Sequence, residues 1–326
     1  MIHPFPDFGQ SGEPVRDLQR RLAALGFGSS TDEPGRFGEA TASAVQAFQL
    51  ARGLTVTAGC DQRTWNALIE AGYRFGDRLL YLKAPMLRGD DVGELQRRLG
   101  ALGFDPGRVD GIFGPDTAHA LEDYQRNAGL VVDGICGPEC VRSLERLRST
   151  SDRGRPPAEL REEDALRRAP RTLEGRRVVV GQFAAPGALG RQVAQQLARH
   201  GAIVLPLDDP DESVQARMAN AFGAHVYLGL LCGPSATGVA FYAVPGFVSA
   251  GGLRLAQFLH PKLTTALGRC DPPLGMRIPI LRETKMAAVL CTLAPIADVQ
   301  RHAAELARGI AGAVDEWVSD PVANEG

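Results

Sequence analysis

Lysine is almost absent from this chain: of 36 basic residues, only Lys83, Lys262 and Lys285 are not arginine. Such a bias is the mark of a GC-rich genome and does not by itself point to anion binding. Net charge is missing too. Thirty-eight acidic residues leave a formal charge of −2, which gives no electrostatic footprint for nucleic acid or an anionic membrane. No apolar run approaches the roughly 20 residues of a membrane span. The opening Met1–Asp7 has no basic stretch followed by an apolar one, so no signal peptide is expected and the expected location is the cytoplasm. Cysteine is sparse, at six residues, and in that compartment these would be reduced thiols. Cys136 and Cys140 stand as C-x₃-C with no second pair nearby, a poor zinc signature. Packed, inert thiols are expected instead.

What is present is an ordinary globular composition, 44% apolar and 23% charged over 326 residues, enough for two or three domains. The strongest signal is an internal repeat. Gly12–Phe27 (GEPVRDLQRRLAALGF) returns as Gly89–Phe104 (GDDVGELQRRLGALGF). Both copies continue with Gly-x-Phe-Gly, a Thr three residues later (Thr41, Thr117), an aromatic-Gln pair (Phe48-Gln49, Tyr124-Gln125), Gly-Leu-x-Val and a Cys (Cys60, Cys136). Each copy reads as three short helices. Val15, Leu18, Leu22 and Leu25 fall on one face of the first, as Val92, Leu95, Leu99 and Leu102 do in the second copy. Gly26 and Gly103 are placed to end those helices.

These residues resemble the peptidoglycan-binding type 1 domain. Val109–Thr117 (VDGIFGPDT) and Asp133–Glu139 (DGICGPE) carry the resemblance most closely; in the first copy Arg36 and Thr57 replace Ile112 and Asp133. The resemblance implies a glycan ligand, with Asp110, Gly111, Tyr124 and Gln125 as the candidate rim and Tyr124 as an exposed ring able to lie against sugar C–H faces. The same positions also suit a purely structural role in the helix bundle.

Arg148–Pro157 is polar, carries Gly and Pro and lacks large apolar residues, which marks a domain boundary. Ser149, Thr150 and Ser151 there are candidate phosphate acceptors beside Arg153 and Arg155. A short solvated helix is expected over Glu159–Arg168. From Arg176 strands and helices alternate, the pattern of a three-layer α/β domain. Strands are expected over Val178–Phe183, Ala202–Leu207, His225–Cys232, Gly238–Val244, Arg277–Leu281 and Ala288–Leu293, with a single final helix over Asp298–Trp317. The domains expected are 1–76 and 77–148 (the two modules), 149–175 (linker), 176–318 (α/β domain) and 319–326 (tail).

Arg217–Ala221 with Gly223–Val226, Gly238–Tyr242 and Leu281–Thr284 resemble the zinc N-acetylmuramoyl-L-alanine amidase family of the amidase-3 type. That resemblance implies one zinc held by His, Glu and His, and a glutamate as general base. By the family's order Ala184 stands where the first His belongs, and Ala188–Arg191 offers no Glu. Leu231 takes the place of the second His, and Thr292 that of the general base. No catalytic residue, cofactor or metal is therefore expected. Ala71–Tyr81, Gly89–Val92 and Leu160–Asp164 further resemble the CwlM-like proteins of actinobacteria. They imply a cytoplasmic regulator of peptidoglycan precursor synthesis acting on UDP-N-acetylglucosamine enolpyruvyl transferase under a membrane Ser/Thr protein kinase. The relatives continue beyond the last helix into a phosphorylated tail; this sequence ends at Val318–Gly326, a departure that leaves kinase control at such a tail open. An active amidase with unorthodox ligands and a plain peptidoglycan-binding adaptor remain open on the sequence.

Overall fold

The computed structural model describes residues 5–28, 31–147, 157–183, 188–233 and 236–322. The chain divides into two compact units, Met1–Ala158 and Glu159–Gly326.

In the first unit three helices occur twice. α1 (Glu13–Ala24), α2 (Glu39–Ala51) and α3 (Gln62–Ala71) are followed by α4 (Asp90–Ala101), α5 (Pro115–Asn127) and α6 (Pro138–Arg146). The apolar stripes of the sequence become the cores. Val15, Leu18 and Leu22 are buried with Val45, Phe48 and Leu68; Val92, Leu95 and Leu99 are buried with Leu121, Tyr124 and Leu144. Gly26 and Gly103 follow the first helix of each copy with φ of 85° and 87°, a conformation that a side chain would strain. In the second copy Arg78 grips the buried Asp91 carboxylate at 2.7 and 3.1 Å, fixing the chain that leads into α4.

The second unit runs α7 (Pro157–Arg168), β1 (Arg177–Phe183), α8 (Ala188–Arg199), β2 (Ile203–Asp208), α9 (Glu212–Phe222), β3 (Val226–Cys232), β4 (Gly238–Val244), β5 (Phe247–Val248), α10 (Ala250–Leu267), β6 (Leu274–Met276), α11 (Pro279–Glu283), β7 (Ala287–Leu293), α12 (Ile296–Arg301) and α13 (Ala303–Ser319). The sheet order is β2-β1-β3-β7-β4-β5, with β6 beside β4. β2, β1, β3 and β7 are parallel and β4 is antiparallel to β7. Val180, Leu228, Val289 and Cys291 meet Val193 of α8, Leu255 and Leu259 of α10 and Ile310 and Val314 of α13 in one core. On the opposite face Tyr227 Oη donates to Gln215 Oε1 of α9 at 2.7 Å. The three-layer expectation holds. Val178, Val179 and Val180 are completely buried. At about 1.5–3 kcal/mol for each buried side chain, these three approach the net stability of a domain, so β1 is held by the core whatever its loop carries.

Three local expectations fail for identifiable reasons. The helix at the linker is not merely solvated. Glu159 Oε1 of α7 accepts from Val248 N at 2.8 Å, and Glu162 Oε1 accepts from Ser249 Oγ at 2.7 Å and Gly251 N at 3.3 Å. Glu162 thus satisfies an orphan donor in the first turn of α10 and Glu159 a donor of β5, while Leu166 packs on the α/β core. Arg277–Leu281 is not a strand, because Pro279 at the first helical position lacks an N–H for a ladder and presets the helical φ of α11. The final helix is broken at His302, whose backbone N and ring Nδ1 both donate to Asp298 O at 2.9 and 3.0 Å. A side chain that bonds its own i−4 carbonyl competes with the helix.

Candidate functional site

In the modules two residues of the expected glycan rim, Tyr124 and Gln125, prove to be framework, while Asp110 is half-buried. Tyr124 is only 2% and Gln125 only 1% exposed. The Tyr124 ring packs edge-on against Phe104, and its hydroxyl donates to Ser143 Oγ at 2.6 Å. It therefore cannot lie against a sugar, and the expectation of an exposed ring is corrected. It is buried because it holds the same core place as Phe48 in the first copy, which packs edge-on to Phe27. Gln125 staples a loop: its Nε2 donates to Asp133 Oδ1 and Ile135 O at 2.8 and 3.1 Å, and its Oε1 accepts from Asp133 N and Gly134 N. Asp110 and Gly111 are held likewise by Gln96, whose Oε1 accepts from both backbone N–H groups at 3.1 and 2.8 Å while Nε2 donates to Asp110 Oδ1 at 2.9 Å.

The first copy repeats this design. Gln19 serves the loop at Gly35, accepting from its N–H at 2.8 Å and donating to Arg36 O at 3.0 Å. Gln49 accepts from Thr57 N and donates to Thr57 Oγ1, at 2.9 and 3.0 Å. The Thr57 hydroxyl thus does what the Asp133 carboxylate does, which explains how the departure at that position is tolerated. The exposed aromatic of the second copy is Tyr81. It follows Leu80, which pairs antiparallel with Cys136, so Tyr81 lies beside Ile135, with exposed Leu79 and Leu82 adjoining. Sequence reading missed Tyr81 because it lies outside the repeated motif.

In the α/β unit the sheet register gathers the candidate positions. Phe183 pairs with Leu231, Leu231 with Thr292, and Thr292 with Gly238, in one row across β1, β3, β7 and β4. Paired residues share a face, with neighbouring strands about 4.8 Å apart. Leu231 and Thr292 are half-buried, and Leu290 and Phe183 are buried. Ala184 lies outside the described residues. The first turn of α8 covers Ala188–Arg191 and brings no carboxylate. The row therefore offers a phenyl ring, an isobutyl group and one hydroxyl.

Zinc bound for hydrolysis needs three nitrogen, oxygen or sulfur donors around an open position, and these side chains do not fit it. Among the described residues no group of three or more His, Cys, Asp or Glu could hold a metal ion. Cys291 precedes Thr292 and so points into the opposite core, where burial pushes its thiol up to about 12. Burial also raises Cys232. The histidines are engaged elsewhere: His260 Nε2 meets Cys270 O at 3.1 Å, and His225 Nδ1 accepts from Arg177 N at 3.0 Å at the other end of the strands. Six residues of strand separate His225 from Leu231, roughly 20 Å.

Residues 11–68 and 88–144 each match the peptidoglycan binding domain family. The N-acetylmuramoyl-L-alanine amidase CwlM of Mycobacterium tuberculosis is 35% identical, over 86% of this chain and 79% of that protein. The chain belongs to the CwlM family. It is a peptidoglycan-binding, amidase-like chain of that family, with two helical modules ahead of an α/β domain. The N-acetylmuramoyl-L-alanine amidase CwlL of Bacillus licheniformis is 31% identical over 43% of the chain, a match that spans 44% of CwlL. Among solved structures, the N-acetylmuramoyl-L-alanine amidase AmiC2 of Nostoc punctiforme is 15% identical, covering 44% of this chain and 98% of its own, with a TM-score of 0.37. Among the described residues of this CwlM-family chain, no helix is long and apolar enough to cross a membrane.

Proposed function

We propose that this chain is a non-catalytic, amidase-like, peptidoglycan-binding protein that regulates peptidoglycan precursor synthesis through protein contacts in the cytoplasm. The row Phe183, Leu231 and Thr292 carries the reading: the strand ends where an amidase would hold its zinc and general base present hydrocarbon and one hydroxyl. A threonine hydroxyl does not take a proton from water at neutral pH, so the position lacks a general base as well as ligands. The division of labour proposed is glycan binding by 1–76 and 77–148, tethering within 149–175 and partner contact by 176–318. UDP-N-acetylglucosamine enolpyruvyl transferase is the proposed partner and a Ser/Thr protein kinase the proposed upstream regulator. The candidate acceptors Ser149, Thr150 and Ser151, with Arg153 and Arg155, lie outside the described residues.

The glycan contact is proposed at Tyr81 with Leu79 and Ile135. Tyr81→Ala is expected to reduce co-sedimentation with purified sacculi severalfold, whereas Tyr124→Phe leaves it unchanged; the reverse pattern would restore the buried rim. The alternative, a hydrolase, is favoured by the names that its relatives carry. Metal analysis of protein purified with added zinc separates the two. Well below one zinc per chain is expected, and stoichiometric zinc would favour the hydrolase.

A further inference from the structure

At the edge where the parallel strands begin, the fold collects positive charge that it does not neutralise. Arg176 and Arg177 lead into β1, Arg171 stands between α7 and β1, and His225 immediately precedes β3. Arg176 is only 8% exposed. One of its terminal nitrogens donates to Pro170 O, and its Nε is buried without a partner. A buried donor on a charged group that lacks an acceptor is costly. Arg171 donates to Arg167 O at 3.3 Å, and the Arg177 guanidinium lies across Gly223 at the C-terminal end of α9.

Among the described residues none of these three arginines is ion-paired with a carboxylate. Glu174 turns to Gly201 instead, and Lys285, just ahead of β7, adds a further positive charge to the same edge. His200, at the end of α8, is the other titratable ring near that turn. The end of α9 supplies only about half a negative charge, so the three full guanidinium charges stay largely unopposed. His225 accepts from Arg177 N through Nδ1, which fixes its neutral ring as the Nε2–H tautomer with that donor to spare. Burial and the charges of Arg176 and Arg177 hold His225 below its usual range, and burial with the charge of Arg171 lowers Arg176. The four groups thus lie within mutual electrostatic reach.

We propose that Arg171, Arg176, Arg177 and His225 form a binding site for a phosphate-class oxyanion, at the end of the sheet opposite the vacated amidase position. Guanidinium forks and an imidazole N–H are the donors such an anion accepts from. The site does not rest on the regulatory reading, because it uses none of the row Phe183, Leu231 and Thr292 that carries that reading.

The test is histidine NMR on the full-length protein, titrated with inorganic phosphate at constant ionic strength set by sodium chloride. The expected result is a saturable shift of the His225 ring together with a rise of its pKa on binding. Arg177→Gln and Arg171→Gln, both at exposed positions, should each weaken binding about tenfold, as loss of one charge-assisted hydrogen bond implies. A linear shift that chloride reproduces would overturn the proposal. So would unchanged phosphate affinity in Arg177→Gln protein whose melting temperature matches the parent's.

Discussion

At the residue scale the most consequential side chains are four glutamines: Gln19 and Gln49 in the first module, Gln96 and Gln125 in the second. Each uses both ends of its amide to close a loop that has little regular backbone pairing. Gln96→Ala or Gln125→Ala leaves buried backbone groups unsatisfied and should lower the stability of the second module by about 2–4 kcal/mol in urea unfolding; a loss within experimental error would contradict the stapling role. Asp133 carries a related pH signature. The Ile135 N–H and then the Gln125 amide hold its carboxyl below the usual range. Its contribution is thus fully present above the unfolded value of about 3.9 and fades as pH falls through the lower folded value. The stability difference between the parent and Asp133→Asn should accordingly shrink below about pH 4, as acid melts would show. The thiols provide a third check. Burial pushes Cys60 up to about 12 and Cys270 up to about 11, with nearby carboxylates adding to it. Labelling by a disulfide reagent at pH 8 should be slow until the chain unfolds.

At the scale of elements, the repeat, the order of strands and helices and their inner faces were legible because apolar periodicity decides them. The glutamine at Leu-Gln-Arg-Arg-Leu recurred in both copies, yet its role needs the loop it reaches, about fifteen residues on, and no local pattern encodes that. Tyr124 was misplaced for a similar reason: an aromatic in a helix suits a core or a rim equally, and its packing on Phe104 decides. Pro279 could have been read as a helix start. The kink at His302 rests on a side-chain hydrogen bond that composition does not show. In the α/β unit, Leu231 and Thr292 were singled out one by one, but only the register makes them neighbours. Arginine richness looked merely compositional; the unpaired cluster at 171–177 emerges only once β1 and β3 lie side by side. α7 yields a prediction of its own. Glu162→Ala removes the acceptor for Ser249 Oγ and Gly251 N and should destabilise the α/β unit by about 1–2 kcal/mol. Glu162→Gln, which keeps an acceptor oxygen, should cost less; equal losses would point to charge rather than capping.

At the scale of the whole molecule, this CwlM-family chain joins peptidoglycan-binding modules to an amidase-like scaffold, and the row Phe183, Leu231 and Thr292 is the one on which the proposed absence of hydrolysis rests. A scaffold of this kind can persist because its stability resides in the sheet core, through Val178–Val180 and their partners, and not in the strand-end loops. The most direct test is incubation of the full-length protein with purified peptidoglycan and added zinc, followed by mass spectrometry of the soluble products. The account predicts no free stem peptide released from muramic acid above a heat-denatured control. Stem peptide released in proportion to bound zinc, and abolished by chelation, would contradict it.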